Sequence, residues 1–190
     1  MQNDILLTLY QRQETVFSAQ QIGLLFPELT ASEIRQRMFR YVQAGKLLNP
    51  RKGFYAKPNY SMEELACLVY KPSYISLEYV LQRAGVIFQY DRAITLVGYR
   101  TRTIELADTE IAYHQIKGEI LACTKGITNI GNLNIATPER ALLDTLYLFP
   151  NYYFDHVGKL SKQRINELLP IYNSKRLAER VQKLFSNGYK

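Results

Sequence analysis

Residues 30–57 read TASEIRQRMFRYVQAGKLLNPRKGFYAK, and this segment restricts the fold more than any other part of the chain. Thr30 and Glu33 form a T-x-x-E capping box, the reciprocal arrangement that starts a helix. Ile34, Met38, Tyr41 and Val42 then recur at helical spacing as a stripe to be buried, and Gly45 stops the helix as a left-handed cap does. Leu47-Leu48 and Phe54-Tyr55-Ala56 are short strand-forming runs around a turn at Asn49-Pro50-Arg51-Lys52-Gly53. Upstream, Ile5, Leu6, Leu9 and Tyr10 share one face of a helix over 3–11. Ser18 caps a second helix that ends near Leu25, before Pro27. Three short helices and a two-stranded hairpin, closed at Pro58-Asn59, predict a winged helix-turn-helix domain over residues 1–58.

The same segment is basic. It holds Arg35, Arg37, Arg40, Lys46, Arg51, Lys52 and Lys57 against one acid, Glu33. With the apolar stripe turned inward, the outward face of the helix carries Ser32, Arg35, Gln36, Phe39, Arg40 and Gln43. Arginine pairs bidentately with guanine, glutamine with adenine, and an aromatic edge meets a thymine methyl. The first turns of such a helix reach the bases. Ser32, Arg35 and Gln36 are therefore expected to read sequence in double-stranded DNA, with Phe39 beside them. Arg40, Arg51, Lys52 and Lys57 are assigned to phosphates, which position a protein without specifying sequence. A solvated basic face on a structural helix is the competing reading. The net charge of +7 favours an anionic partner but is unevenly placed. Residues 1–60 carry 8 basic and 4 acidic side chains, 61–158 carry 8 and 11, and 159–190 carry 8 and 2.

Residues 59–190 read as a second, mixed α/β domain, which makes the chain α+β. Helices are expected over Met62–Val69 and Ser76–Ala84, the latter stopped by Gly85. Short β-prone runs follow at Ile94–Tyr99, Arg102–Leu106, Glu110–Ile116, Glu119–Cys123, Ile127–Ile130 and Leu133–Ile135. Thr137-Pro138-Glu139 starts a helix that runs to Leu148, and the tail from Ser161 is again helical. Its lysines and arginines are either a solvated face or a second charged surface. Arg100-Thr101-Arg102-Thr103 either touches a phosphate or acidic partner, or protects a sheet edge by charge.

No nucleotide-binding, metalloprotease or hydrolase motif occurs, so no catalytic residue, metal or cofactor is expected. Asp108 and Glu110 decorate a hairpin turn, and His114 and His156 have no evident catalytic partner. Cys67 and Cys123 are far apart and outside any CxxC, which fits free thiols in a reducing cytoplasm. The N-terminus lacks the pattern of a signal peptide, and no apolar run reaches membrane-spanning length.

The order of elements, together with GKLLNPRKGFYAKP, YISLEYVLQRAGVI, ITLVGYRTRTIELADTEIAYHQIK and IATPERALLDTLYL, resembles the AbiEi-type antitoxins of bacterial toxin–antitoxin (abortive phage infection) systems. The resemblance covers residues 5–150, and its most specific pieces are YISLEYVLQRAG, YHQIK and IATPERALLD. It implies a winged helix that binds repeats in its own promoter as an autorepressor, followed by an antitoxin domain. That domain counters a nucleotidyltransferase-like toxin without a stable complex. The alternative is a stand-alone winged-helix regulator whose C-terminal domain senses a ligand or protein.

Overall fold

Caps and apolar spacing set the first half of the fold. In the computed structural model, which describes residues 4–89 and 92–186, the Asp4 carboxylate accepts the Leu6 N–H and opens α1 (Ile5–Gln11). Residue 3, where this helix was expected to begin, lies outside the described residues. A short strand β1 (Val16–Ser18) leads into α2 (Ala19–Leu25), and α3 (Ala31–Gln43) follows. Both helices begin with complete capping boxes, Ser18 with Gln21 and Thr30 with Glu33. Strands β2 (Leu48–Arg51) and β3 (Phe54–Ala56) complete an antiparallel sheet in the order β1-β3-β2. Ile5, Leu9, Phe17, Ile22, Phe26, Ile34, Met38 and Leu47 form the core between helices and sheet.

The hairpin is tighter than the sequence reading. Asn49, Pro50 and Arg51 belong to β2, which leaves Lys52-Gly53 as the turn, with Gly53 at φ +85°. Leu48 pairs with Ala56 and Arg51 with Phe54, so β2 holds one residue more than its partner between these pairs. This bulge absorbs Pro50, which has no N–H to give to a ladder. β1 was not foreseen, because three residues carry too little periodicity to be read.

The chain divides into two compact units, the first ending at Val69 and the second beginning at Tyr70. Helix α4 (Met62–Val69), placed in the second domain by the sequence reading, therefore belongs with the first unit. The buried Glu64 carboxylate ties it there by accepting the Thr15 N–H at 2.7 Å, the Thr15 hydroxyl at 3.0 Å and the Val16 N–H at 3.1 Å.

The second unit is a mixed six-stranded sheet with helices. Its strands are β4 (Ser73–Ile75), β5 (Ile94–Gly98), β6 (Arg102–Leu106), β7 (Thr109–Gln115), β8 (Ile127–Ile130) and β9 (Leu133–Ala136), in the order β6-β7-β5-β4-β9-β8. β5 pairs parallel with β7, and β4 parallel with β9. The helices are α5 (Glu78–Arg83), α6 (Gly118–Ala122), α7 (Pro138–Leu148), α8 (Lys162–Leu168) and α9 (Lys175–Ser186). Two expectations are corrected. The run expected as a strand at 119–123 falls on the short helix α6 and its C-terminal cap Cys123, since five residues of mixed character do not fix a period. The helix expected from Ser76 starts at Glu78, because Ser76 lies in a buried turn and Leu77 has φ +61°. No described helix is long and apolar enough to cross a membrane.

At the centre of this unit lies an ion pair that sequence reading passed over. Arg140 and Asp144, one helical turn apart on α7, are both fully buried, with Nε 3.5 Å from Oδ1. Asp144 accepts the hydroxyls of Tyr172 at 2.6 Å, Ser76 at 2.7 Å and Tyr74 at 3.0 Å. Arg140 donates to the carbonyls of Ile120 at 2.8 Å and Lys125 at 3.0 Å, and to the Tyr74 hydroxyl at 3.1 Å. Burial pushes the Asp144 carboxyl above the usual carboxylate range, against the pull of Arg140 and the three hydroxyls. The pair thereby joins β4, α6, the segment before β8, and the 3-10 turn Leu169–Tyr172 to one helix. The fold also explains α6: its carbonyl at Ile120 is held by Arg140.

Removing one member strands the other charge without water, which costs about 3–5 kcal/mol. Asp144→Ala is expected to lower the unfolding free energy by about this amount, read from urea denaturation. A change below about 1 kcal/mol would show that the cluster is not the keystone of the unit.

Candidate nucleic-acid interface

The rotation of α3 decides which side chains face outward. Ile34 and Met38 are buried in the first unit's core, with Tyr41 and Val42 packed against it. The opposite face exposes Ser32, Arg35, Gln36, Phe39, Arg40 and Gln43 together. Phe39 is 62% exposed, so a large ring sits in water among polar and cationic neighbours. A singly exposed apolar side chain is ordinary, and Phe88 at 63% and Tyr153 at 65% are as open, so Phe39 is of interest only for the Arg and Gln neighbours that share its face.

The single acid of this segment is removed from the face by the cap. Glu33 accepts the Thr30 N–H at 2.8 Å and the Thr30 hydroxyl at 2.7 Å, and the Glu33 N–H donates back to that hydroxyl at 3.3 Å. The backbone and then the side chain of Thr30 hold its carboxyl below the usual range. The one acid of residues 30–57 is thus engaged at the start of the helix that presents Arg35 and Arg40.

The hairpin supplies the second part. Lys52 is exposed at the turn, and Arg51 is half-buried at the end of β2. Asn49 fixes their backbone by donating to the carbonyls of Arg51 at 2.9 Å and Phe54 at 2.7 Å. The turn is also tied to the start of α2, where the Ala19 N–H donates to the Gly53 carbonyl at 2.8 Å. Asn49 was read only as a turn residue; the N-P-R-K-G context was the available sign that it shapes the hairpin.

Lys57 does not join this surface. Its ammonium turns inward, donating to the carbonyls of Arg12 at 2.6 Å and Tyr10 at 3.4 Å, with the rings of Tyr10 and Phe17 about 6 Å away. These bonds hold the ammonium at the end of α1 and leave its charge in place. Of the eight residues expected to touch DNA, Ser32, Arg35, Gln36, Phe39, Arg40 and Lys52 are exposed, and Arg51 and Lys57 are half-buried, Lys57 with its ammonium bonded at the end of α1.

The other sequence candidates lie elsewhere. Asp108, at φ +61°, sits in the tight β6–β7 turn, and Glu110 pairs across it with Glu105. His114 is half-buried on β7, edge-on to Phe149, and burial lowers its pKa against the opposing field of Glu78. His156 packs against Phe88. Among the described residues, no group of three or more His, Cys, Asp or Glu is placed to hold a metal ion.

The depressed Glu33 pKa gives a signed pH dependence. A carboxyl held below its unfolded value stabilises the fold above that value and loses this contribution as pH falls through its folded pKa. The melting temperature of Glu33→Ala should therefore fall furthest below that of the native chain near about pH 7, and the gap should close towards about pH 3. A gap independent of pH would mean that the carboxylate does not carry the cap.

No protein-family model matches the sequence, and no curated protein is similar enough to be matched.

Proposed function

We propose that the chain is an AbiEi-type antitoxin that acts in the cytoplasm as a DNA-binding autorepressor and has no enzymatic role. In this reading residues up to about 58 are a winged helix-turn-helix, with α3 as recognition helix and the β2–β3 hairpin as wing. The element order and the three-stranded antiparallel sheet agree with that architecture. The observation that carries the proposal is the single outward face of α3, where Ser32, Arg35, Gln36, Phe39 and Arg40 are exposed together, in the same unit as a basic hairpin turn. Ser32, Arg35 and Gln36 read base edges in the major groove, Phe39 meets a thymine methyl, and Arg40, Arg51 and Lys52 hold phosphates. The partner is the duplex of its own promoter, at repeats.

The antitoxin half rests on the resemblance of YISLEYVLQRAG, YHQIK and IATPERALLD. The first and third of these segments supply Tyr74, Ser76, Arg140 and Asp144 to the organising cluster of the second unit, and YHQIK lies on β7 and just beyond it. The unit counteracts a nucleotidyltransferase-like toxin, encoded beside this gene, without forming a stable complex.

Two variants separate the roles on α3 and the hairpin. Arg35→Ala is expected to weaken binding to the upstream DNA by about 1–3 kcal/mol and to relax specificity at one base pair. Lys52→Ala is expected to weaken all duplexes alike. Competition titrations with specific and random duplexes check both, and a reversed pattern would overturn the assignment. For the second half, co-expression with the neighbouring nucleotidyltransferase-like reading frame should restore growth, also with Arg35→Ala. Absence of rescue by the native chain would leave only a regulator.

A further inference from the structure

A small notch on the second unit brings together aromatic walls and unpaired cations. Its lining is Tyr70, Gly98, Tyr99, Arg100, Arg102 and Tyr113, around a partly open space of about 30 Å³. Tyr113 is the buried floor, and Tyr70 stands edge-on to it, with ring centroids 5.1 Å apart at 88°. Arg102 lies directly across the β6–β7 ladder from Tyr113. Its guanidinium donates to the Tyr70 hydroxyl at 2.7 Å and covers the Tyr70 ring at 5.3 Å. Arg100, in the bend that follows β5, lines the same notch, with its guanidinium 5.6 Å from the Tyr99 ring.

Three features separate this notch from ordinary edge protection. Charge alone suffices to guard an edge, and lysine serves that purpose. Here both cations are arginines, whose planar fork suits phosphate bidentately and whose flat face stacks on rings. Neither arginine has a carboxylate partner among the described residues. Tyr99 is 40% exposed although it is aromatic, leaving a ring face open beside Arg100. A cationic ligand is excluded by the two guanidiniums, and a purely apolar one would leave them unmatched.

We propose that the rim of this notch binds a nucleoside phosphate, with the base stacked on the exposed Tyr99 ring and the phosphate on Arg100 and Arg102. Base–aromatic stacking tolerates any base, because every base has a π face. The ligand is therefore recognised as a class, either as a free nucleotide or as one residue of a single-stranded nucleic acid. The site is separate from the α3 face and does not depend on the reading of that face.

The chain contains no tryptophan, so Tyr99→Trp places a lone indole in the notch. The full chain carrying this change is titrated with ATP, GTP, CTP and UTP, with a ten-residue oligo(U), and with inorganic phosphate. Quenching of the indole by the nucleotides or the oligonucleotide, but not by phosphate alone, is expected. Saturation by the nucleotides identifies a free ligand; saturation by oligo(U) only identifies a single strand. Adding Arg100→Gln is expected to weaken binding about tenfold, as loss of a charge-assisted contact does. Among the described residues the Arg100 side chain makes no hydrogen bond, whereas Arg102 bonds the Tyr70 hydroxyl, so Arg100→Gln is the variant that tests the site without disturbing a fold contact. The proposal is overturned by no quenching at millimolar concentrations, by equal quenching with phosphate, by binding unaffected by Arg100→Gln, or by quenching with an acidic peptide instead.

Discussion

Burial of Ile34 and Met38 is the constraint on which the first unit's surface depends. A helix has one rotation that buries its apolar stripe, and here that rotation leaves Ser32, Arg35, Gln36, Phe39 and Arg40 outward. Each fully buried apolar side chain stabilises its position by about 1.5–3 kcal/mol, more than any exposed charge can recover by turning the helix. The Thr30–Glu33 cap fixes where the helix begins and engages the one acid of residues 30–57 there. Charge and register thus come from two local devices, a stripe and a cap.

The second unit is held differently. Its strands are short, and α7 carries Arg140 and Asp144 where an apolar residue would be expected. Such a pair is not needed for stability as such, since well-packed apolar residues often do as well. Its effect is geometric: it admits only an arrangement in which Tyr74, Ser76, Tyr172 and two backbone carbonyls converge on one helix. Tyr74 and Ser76 come from YISLEYVLQRAG and Arg140 and Asp144 from IATPERALLD, so these two segments contribute to the scaffold of the second unit.

Legibility in the sequence followed the range of the interactions. The α2 and α3 starts, the α3 stripe, the Gly45 stop and the Thr137-Pro138 start are fixed by residues within one or two turns, and each appears where the sequence places it. β1 and β4 owe their extended form to partners far along the chain, and neither was legible. Lys57 could not be assigned from sequence because its acceptors, Tyr10 and Arg12, are local only in space. Arg140 and Asp144 did leave a signal, a charged pair at i, i+4 flanked by Ala141, Leu142, Leu143 and Leu146. An opposite-charge pair inside an apolar helix is a buried pair or an error, and it could have been read as the former.

The central claim, that the α3 face and the hairpin grip duplex DNA, is tested most directly by salt. The full chain is titrated onto the duplex immediately upstream of its own reading frame at several salt concentrations. With about six phosphates neutralised, log K should fall against log salt with a slope near about −5. Affinity that does not change with salt, or no binding to that duplex at low salt, would contradict it.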